Sequence, residues 1–308
     1  MKRSLRVLFV CGALAVLAFP VRAWDATGHE VIARIAWDAM KPETRAKAVA
    51  LLEAAPPDAD LASLLPTDGR PLAVRERELV ELASTWPDIV RDKNVPQRFE
   101  KYHHGTWHYI NHFWEQGPNG PRDRTDLQPD PENVVERLHH FERSLADASR
   151  PAAERAIDLA WVLHLVGDVH QPLHTSARVS PEALQGDQGG NLVKISDQET
   201  LHWYWDQLVS KAFPKGASES QEAYVERIAQ TFEQHFPAAS MRARLAPGRY
   251  EDWVQVGFEI SKSTVYQGVE PGREPSEQYR QQAFGTVEPL VALAGYRLAE
   301  MLDRVLRS

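Results

Sequence analysis

The chain has 308 residues, 43% of them hydrophobic and 25% charged, with a formal net charge of −8, one cysteine, twelve histidines and nine tryptophans. This is the composition of a folded globular protein; it excludes a disordered tail, a collagen-like repeat and a multi-span membrane protein. A pI near 5.9 excludes a broad basic face for gripping nucleic acid, although not a small positive site.

Lys2, Arg3 and Arg6 precede an apolar run, Val7 to Phe19, which Pro20 ends; Val21 and Ala23 then occupy the −3 and −1 positions of a cleavage site. This reads as a secretory signal peptide over residues 1–23, too short to span a bilayer. The expected mature chain is one domain, residues 24–308, beginning at Trp24 and exported to the periplasm or beyond, with no stable membrane association. Loss of Lys2, Arg3, Arg6 and Arg22 takes the net charge from −8 to −12 and removes Cys11, the sole cysteine. An exported chain without a disulfide framework must rely on its core or on metal. Cys11 is no lipoprotein signal, because Leu8, Phe9 and Val10 lack the small residue that such processing prefers.

Beyond the leader the apolar period is helical. Val31, Ile32, Ile35 and Ala36 form one stripe, and Leu79, Leu82 and Ala83 another within a helix expected over 74–83. Residues 117–131, rich in Pro, Gly and Asp, read as a loop. Val134, Val135, Leu138 and Phe141 mark the next helix, followed by Ile157, Ala160, Trp161 and His164. Between 179 and 200, glycines punctuate Leu192-Val193-Lys194-Ile195, which reads as a short β-hairpin. Helices are also expected over 224–236 and from Leu290 to Val305. The fold class is therefore all-α, or mainly α with one short hairpin, in a single domain.

Histidine and aspartate carry the chemistry. His164 and Asp168 stand four apart, on one face of a helix that Pro172 should bend or end, and His174 follows. His202 and Asp206 repeat the spacing. Such a pair is ordinarily a surface hydrogen bond, but here both lie in apolar company, where buried His and Asp are costly unless paired or metal-bound. Five such donors suit zinc. Asp88 in Trp-Pro-Asp, His108 in Trp-His-Tyr-Ile, and His29 near Trp24 are further isolated donors. His103, His104, His112, His139, His140 and His235 read as surface or capping residues. His170 points away from the Asp168 face, and Trp203 and Trp205, inside a ligand-bearing helix, read as core.

Taken in order, Trp24-x4-His29, Trp86-Pro-Asp88, Trp107-His108-Tyr-Ile, His164-x3-Asp168-x-His-Gln-Pro-Leu-His174, Gly189-Gly-Asn191 and His202-x2-Trp-Asp206 resemble the class I nucleases, the zinc-dependent fungal single-strand nucleases and plant bifunctional nucleases. The resemblance runs from Trp24 to about Asp206. It implies a helical domain of the zinc phospholipase C and fungal nuclease type, with three zinc ions in a cleft. One zinc would be held by Asp88, His108, His164 and Asp168, and a second by His174, His202 and Asp206. The third would take the α-amino nitrogen and carbonyl of Trp24, His29, and Asp168 as a bridge. It further implies a zinc-bound hydroxide as nucleophile, oriented by Asp88, and a base-stacking aromatic at Tyr109 with Asn111 at the base edge. The implied substrates are single-stranded DNA and RNA, cut to 5′-phosphorylated products, and 3′-nucleotides; the implied state is a monomer. The nearest alternative is a zinc-dependent phospholipase C, disfavoured by Asp206 in place of Glu and by the short Trp24 to His29 spacing. A zinc-binding exported protein without turnover is the other, disfavoured by the complete donor set.

Overall fold

The computed structural model describes residues 24–307; the expected signal peptide, with Cys11, lies outside the described residues. The N-terminal part carries α1 (Ala26–Ala39), α2 (Pro42–Glu53), α3 (Leu72–Ala83), the short α4 (Trp86–Ile89) and α5 (Pro96–Tyr102). Two strands follow, β1 (His112–Gly117) and β2 (Gly120–Asp123), then α6 (Val134–Ala146) and α7 (Ala152–Asp168). After β3 (Ser176–Val179) come α8 (Leu201–Asp206), α9 (Leu208–Ala212), α10 (Gln221–His235), α11 (Ala238–Met241), α12 (Tyr250–Ile260) and α13 (Glu277–Val305).

The expected stripes become the buried faces of α1, α3, α6 and α7. α1 begins at Asp25, whose carboxylate caps Gly28 N at 3.0 Å, and is buried almost all round because α3, α7, α10 and α13 surround it. Its approach to α13 is close: a Cβ on Gly295 would lie 2.5 Å from Ile35 Cγ2. A contiguous apolar core runs from Trp24 to Leu306. No helix among the described residues is long and apolar enough to cross a membrane.

Three expectations are corrected. Residues 192–195 do not form a hairpin; they contribute only an isolated bridge, Lys194 to Thr200. The hairpin lies instead within the expected loop at 117–131, where Gly120 at φ +116° makes the turn from β1 into β2. Its composition misled because β2 is an edge strand, where Pro121, in register with Gln116, is tolerated without an N–H to donate. The last helix starts at Glu277, capped by Ser276, and passes through Pro289; packing on α1 outweighs the hydrogen bond that proline removes.

The small sheet, in the order β2-β1-β3, does the most to position the site. β1 and β3 pair in parallel, and the pairing extends backwards: Ile110 N donates to His174 O at 2.8 Å, and His112 N to Thr175 O at 3.3 Å. Two segments some sixty residues apart, each ending in a histidine-bearing 3-10 turn (Gly105–His108 and Pro172–His174), are thereby laid side by side.

Candidate metal centre

α7 delivers His164 and Asp168 from its last turn, fully buried. His164 Nδ1 donates to Ser84 O at 2.7 Å, in the turn before α4. This fixes the tautomer, so Nε2 presents a lone pair inward. His174 Nδ1 is held in the same way by His108 O at 2.7 Å, and His202 Nδ1 by Gly189 O at 2.7 Å. The last contact requires glycine. Gly189 sits at φ +60°, and a Cβ there would fall 2.3 Å from Leu173 O.

Asp168 stands between two groups of imidazoles. Its Oδ1 lies 3.4 Å from His29 Nε2, and its Oδ2 lies 2.9 Å from His108 Nδ1 and 3.3 Å from His164 Nε2. The His29 and His164 rings stack at 3.9 Å. Gly167 makes room for this: a Cβ on it would lie 2.8 Å from His29 Nδ1, and its carbonyl accepts from Trp24 Nε1 at 2.9 Å. Trp24 is fully buried, and the next residue ties back to the site through Asp25 N to Asp206 O at 3.0 Å. Asp88, half-buried at the edge, places Oδ1 3.9 Å from His164 Nε2 and 3.1 Å from Arg91 Nε. In the other half of the site, Asp206 Oδ2 lies 3.5 Å from His202 Nε2, and Oδ1 lies 3.9 Å from His174 Nε2.

Three sets of donors converge within 4.8 Å: His29, Asp88 and His164; His108, His164 and Asp168; His174, His202 and Asp206. All eight side chains expected as ligands are therefore brought together. The structure adds proximity of Asp88 to the His29–His164 pair.

The electrostatics describe a place for cations. Burial pushes the Asp168 carboxyl up to about 7 and the Asp206 carboxyl well above its ordinary range. Asp168 also ends a long helix, where the negative end of the dipole disfavours an anion. Burial pushes His164 down to about 4 and holds His108 and His174 well below the usual imidazole range, so the rings are neutral and free to ligate. His174 Nε2, His108 Nε2 and Asp206 Oδ2 are buried without a hydrogen-bond partner. Unpartnered buried polar atoms of this number are costly, and a set of neutral imidazoles and carboxylates with inward lone pairs fits zinc.

The sequence of the S1/P1 Nuclease family matches residues 24–307. The chain belongs to this nuclease family. It is 23% identical to Endonuclease 2 of Arabidopsis thaliana over 92% of this chain and 91% of that one, and 24% identical to Nuclease S1 of Aspergillus oryzae over 97% and 98%. Nuclease PA3 of Penicillium sp is 21% identical over 92% of this chain and 97% of its own. The nuclease is thus a hydrolase acting on phosphodiester bonds, with His and Asp groups able to bind the zinc on which this family depends.

Tyr109 and Asn111 line a cavity of about 90 Å³ with Gln188, Gly189 and His202, so the two residues expected to meet a base do adjoin the donors. His139 and His235 pair with Glu251 and Glu288 at the surface, as expected. His104 instead stacks on Trp107 at 3.6 Å. His170 points away from the centre: it is buried, bonded to Val166 O and accepting from Arg297, each at 2.7 Å. Trp203 is not core. It is half-buried and lines a cavity beside His202, whereas Trp205 is fully buried with Nε1 donating to Tyr279 at 2.9 Å.

Two residues of the nuclease escaped the sequence reading. Gln171 Nε2 donates to Asp206 Oδ1 at 2.6 Å while Oε1 accepts from Leu173 N at 2.6 Å, orienting the carboxylate. Its signal was a buried amide inside the ligand run. Arg91, one turn after Asp88, is the cation whose charge reaches Asp168, His108, His164 and His174.

Proposed function

We propose that this nuclease is an exported zinc-dependent endonuclease that cuts single-stranded DNA and RNA to 5′-phosphorylated products and also acts as a 3′-nucleotidase. The observation that carries it is Asp168, whose two oxygens face different imidazoles within three converging donor sets. Three zinc ions would be held by Asp88, His108, His164 and Asp168; by His174, His202 and Asp206; and by His29, Asp168 and the α-amino nitrogen and carbonyl of Trp24. When bound, they supply Lewis-acid neutralisation of phosphate charge and acidify water at neutral pH.

The chain's own residues do the rest. Asp88, at the rim, accepts a proton-bearing contact from the attacking water at its carboxylate and orients it. Arg91, held against Asp88, offers its guanidinium to a phosphate oxygen. Tyr109 stacks a base and Asn111 meets its edge. A base reaches Tyr109 only when unstacked, which favours single strands over a stiff duplex. One base site beside the donors also suffices for a 3′-mononucleotide. Because the Trp24 amine exists only after cleavage behind Ala23, export would complete the site; a periplasmic or secreted monomer fits this reading.

The test is zinc stoichiometry on chain beginning at Trp24, with release of acid-soluble nucleotides from single- and double-stranded DNA and hydrolysis of phosphatidylcholine compared. Three zincs and preferential single-strand cleavage are expected. Fewer than two zincs, or phosphatidylcholine as the preferred substrate, would overturn the assignment.

A further inference from the structure

Two cavities share His202 as a common wall. The Tyr109 cavity measures about 90 Å³. The second, of about 400 Å³, also reaches Asp206 and is walled by Asn191, Lys194, Thr200 and Trp203. Only the larger falls in the ~300–1,000 Å³ range of small-molecule sites, and no residue assigned a role above, other than the two ligands, lines it.

Its wall is built rather than incidental. Thr200 Oγ1 caps α8 at Trp203 N, 3.2 Å away, and the 194–200 turn is closed by the Lys194–Thr200 bridge. Gly272 N donates to Lys194 O at 2.9 Å, bracing the turn from outside. With its amide oriented to satisfy both ends, Gln207 accepts from Trp203 Nε1 and donates to Glu199 Oε1, each at 3.2 Å. Glu199 in turn pairs with Lys211 at 2.9 Å. The indole is thus fixed by a chain of partners through its edge, while α8 sends its neighbours His202 to the donors and Trp205 to the core. Lys194 is exposed and forms no ion pair among the described residues. Asp197, on the same wall, offsets its charge, so the attraction here is aromatic rather than ionic.

We propose that this cavity is the subsite for the nucleotide on the far side of the scissile phosphate from Tyr109, with its base stacked on Trp203. The inference rests on the nuclease reading above. A 3′-mononucleotide contains only the nucleoside that carries the leaving 3′-oxygen, so that nucleoside belongs at Tyr109. The nucleotide that keeps the phosphate on its 5′-oxygen then lies against Trp203. A flat indole accepts any base, because every base has a π-face.

The experiment compares wild type, Trp203→Ala and Trp203→Phe, zinc-loaded, on thymidylyl-(3′→5′)-thymidine and on thymidine 3′-phosphate. Loss of one stacked base predicts a fall in kcat/KM of roughly 5- to 150-fold on the dinucleotide for Trp203→Ala, much larger than on the mononucleotide, with Trp203→Phe restoring most of it. Binding is read separately by displacement of a fluorescent phosphorothioate dinucleotide. Thymidine 5′-phosphate should displace it less well from Trp203→Ala than from wild type, and thymidine 3′-phosphate equally well from both. Equal losses on both substrates, or unchanged displacement by thymidine 5′-phosphate, would overturn the subsite. A wild type that hydrolyses neither substrate would overturn the nuclease reading instead, and the displacement measurement would still decide the subsite.

Discussion

Replacing Gln171 by leucine removes one amide that grips a carboxylate of the centre. Gln171 is fully buried, and its two bonds, to Asp206 Oδ1 and from Leu173 N, are both 2.6 Å long. Leucine of similar volume keeps the packing but leaves a backbone N–H and a carboxylate oxygen unpaired. A hydrogen bond to a charged group contributes about 1.5–3 kcal/mol, and about 1.4 kcal/mol is a factor of ten. Zinc affinity at the His174–His202–Asp206 set should therefore fall roughly 10- to 100-fold, the range seen for outer-shell partners of metal ligands. The assay is competition with a colorimetric zinc chelator at fixed pH, with circular dichroism to show that the helices persist. Gln171→Glu should do worse than leucine, because its second oxygen would face Asp206 with like charge. A chelator titration of Gln171→Leu that superimposes on wild type would refute the reasoning.

Extra residues placed before Trp24 should cost one zinc and most of the activity, since the α-amino group is then an amide; three zincs and full activity by metal analysis and DNA assay would refute that ligand. Chelation should lower Tm: at free zinc a thousandfold above its Kd each ion contributes about 4 kcal/mol, so loss of even one is about 8–16 °C for a domain of this size, and an unchanged melt after verified metal loss would contradict this. A third expectation concerns the acids between α1 and α3. Burial pushes Glu81 up to about 8 and Glu30 up to about 7. The native state therefore holds protons that the unfolded chain has released, and this contribution is present below about pH 4.5 and lost as pH rises through 7 and 8. Glu81→Gln, zinc-loaded, should gain stability relative to wild type between pH 5 and 8 in urea titrations; a difference that does not vary with pH would exclude the effect.

The sequence by itself determined the helices and the donors. The stripes at Val31 to Ala36 and Val134 to Phe141 are local, because the 3.6-residue period sets which face a helix buries. The His164–Asp168 and His202–Asp206 pairs were legible for the same reason, as a spacing of four is one turn. Local pattern failed where partners are distant. The hairpin at Gly120 was hidden by an edge strand's tolerance of proline, and the start of α13 by the largely polar run from Glu277 to Gln282, which carries no apolar stripe. Which tryptophan of α8 is core depended on Tyr279, 74 residues from Trp205 in the chain.

Only the tertiary structure decided how the donors meet. Parallel pairing of β1 with β3 brings His108 beside His174, and the carbonyls of Ser84, His108 and Gly189 turn three imidazoles inward. Asp168 acquires two faces because Gly167 lets His29 approach α7. These contacts join residues 13 to 139 positions apart. A residue's spacing fixes its direction on its own helix, whereas the identity of the atom it faces is fixed by how separate elements pack.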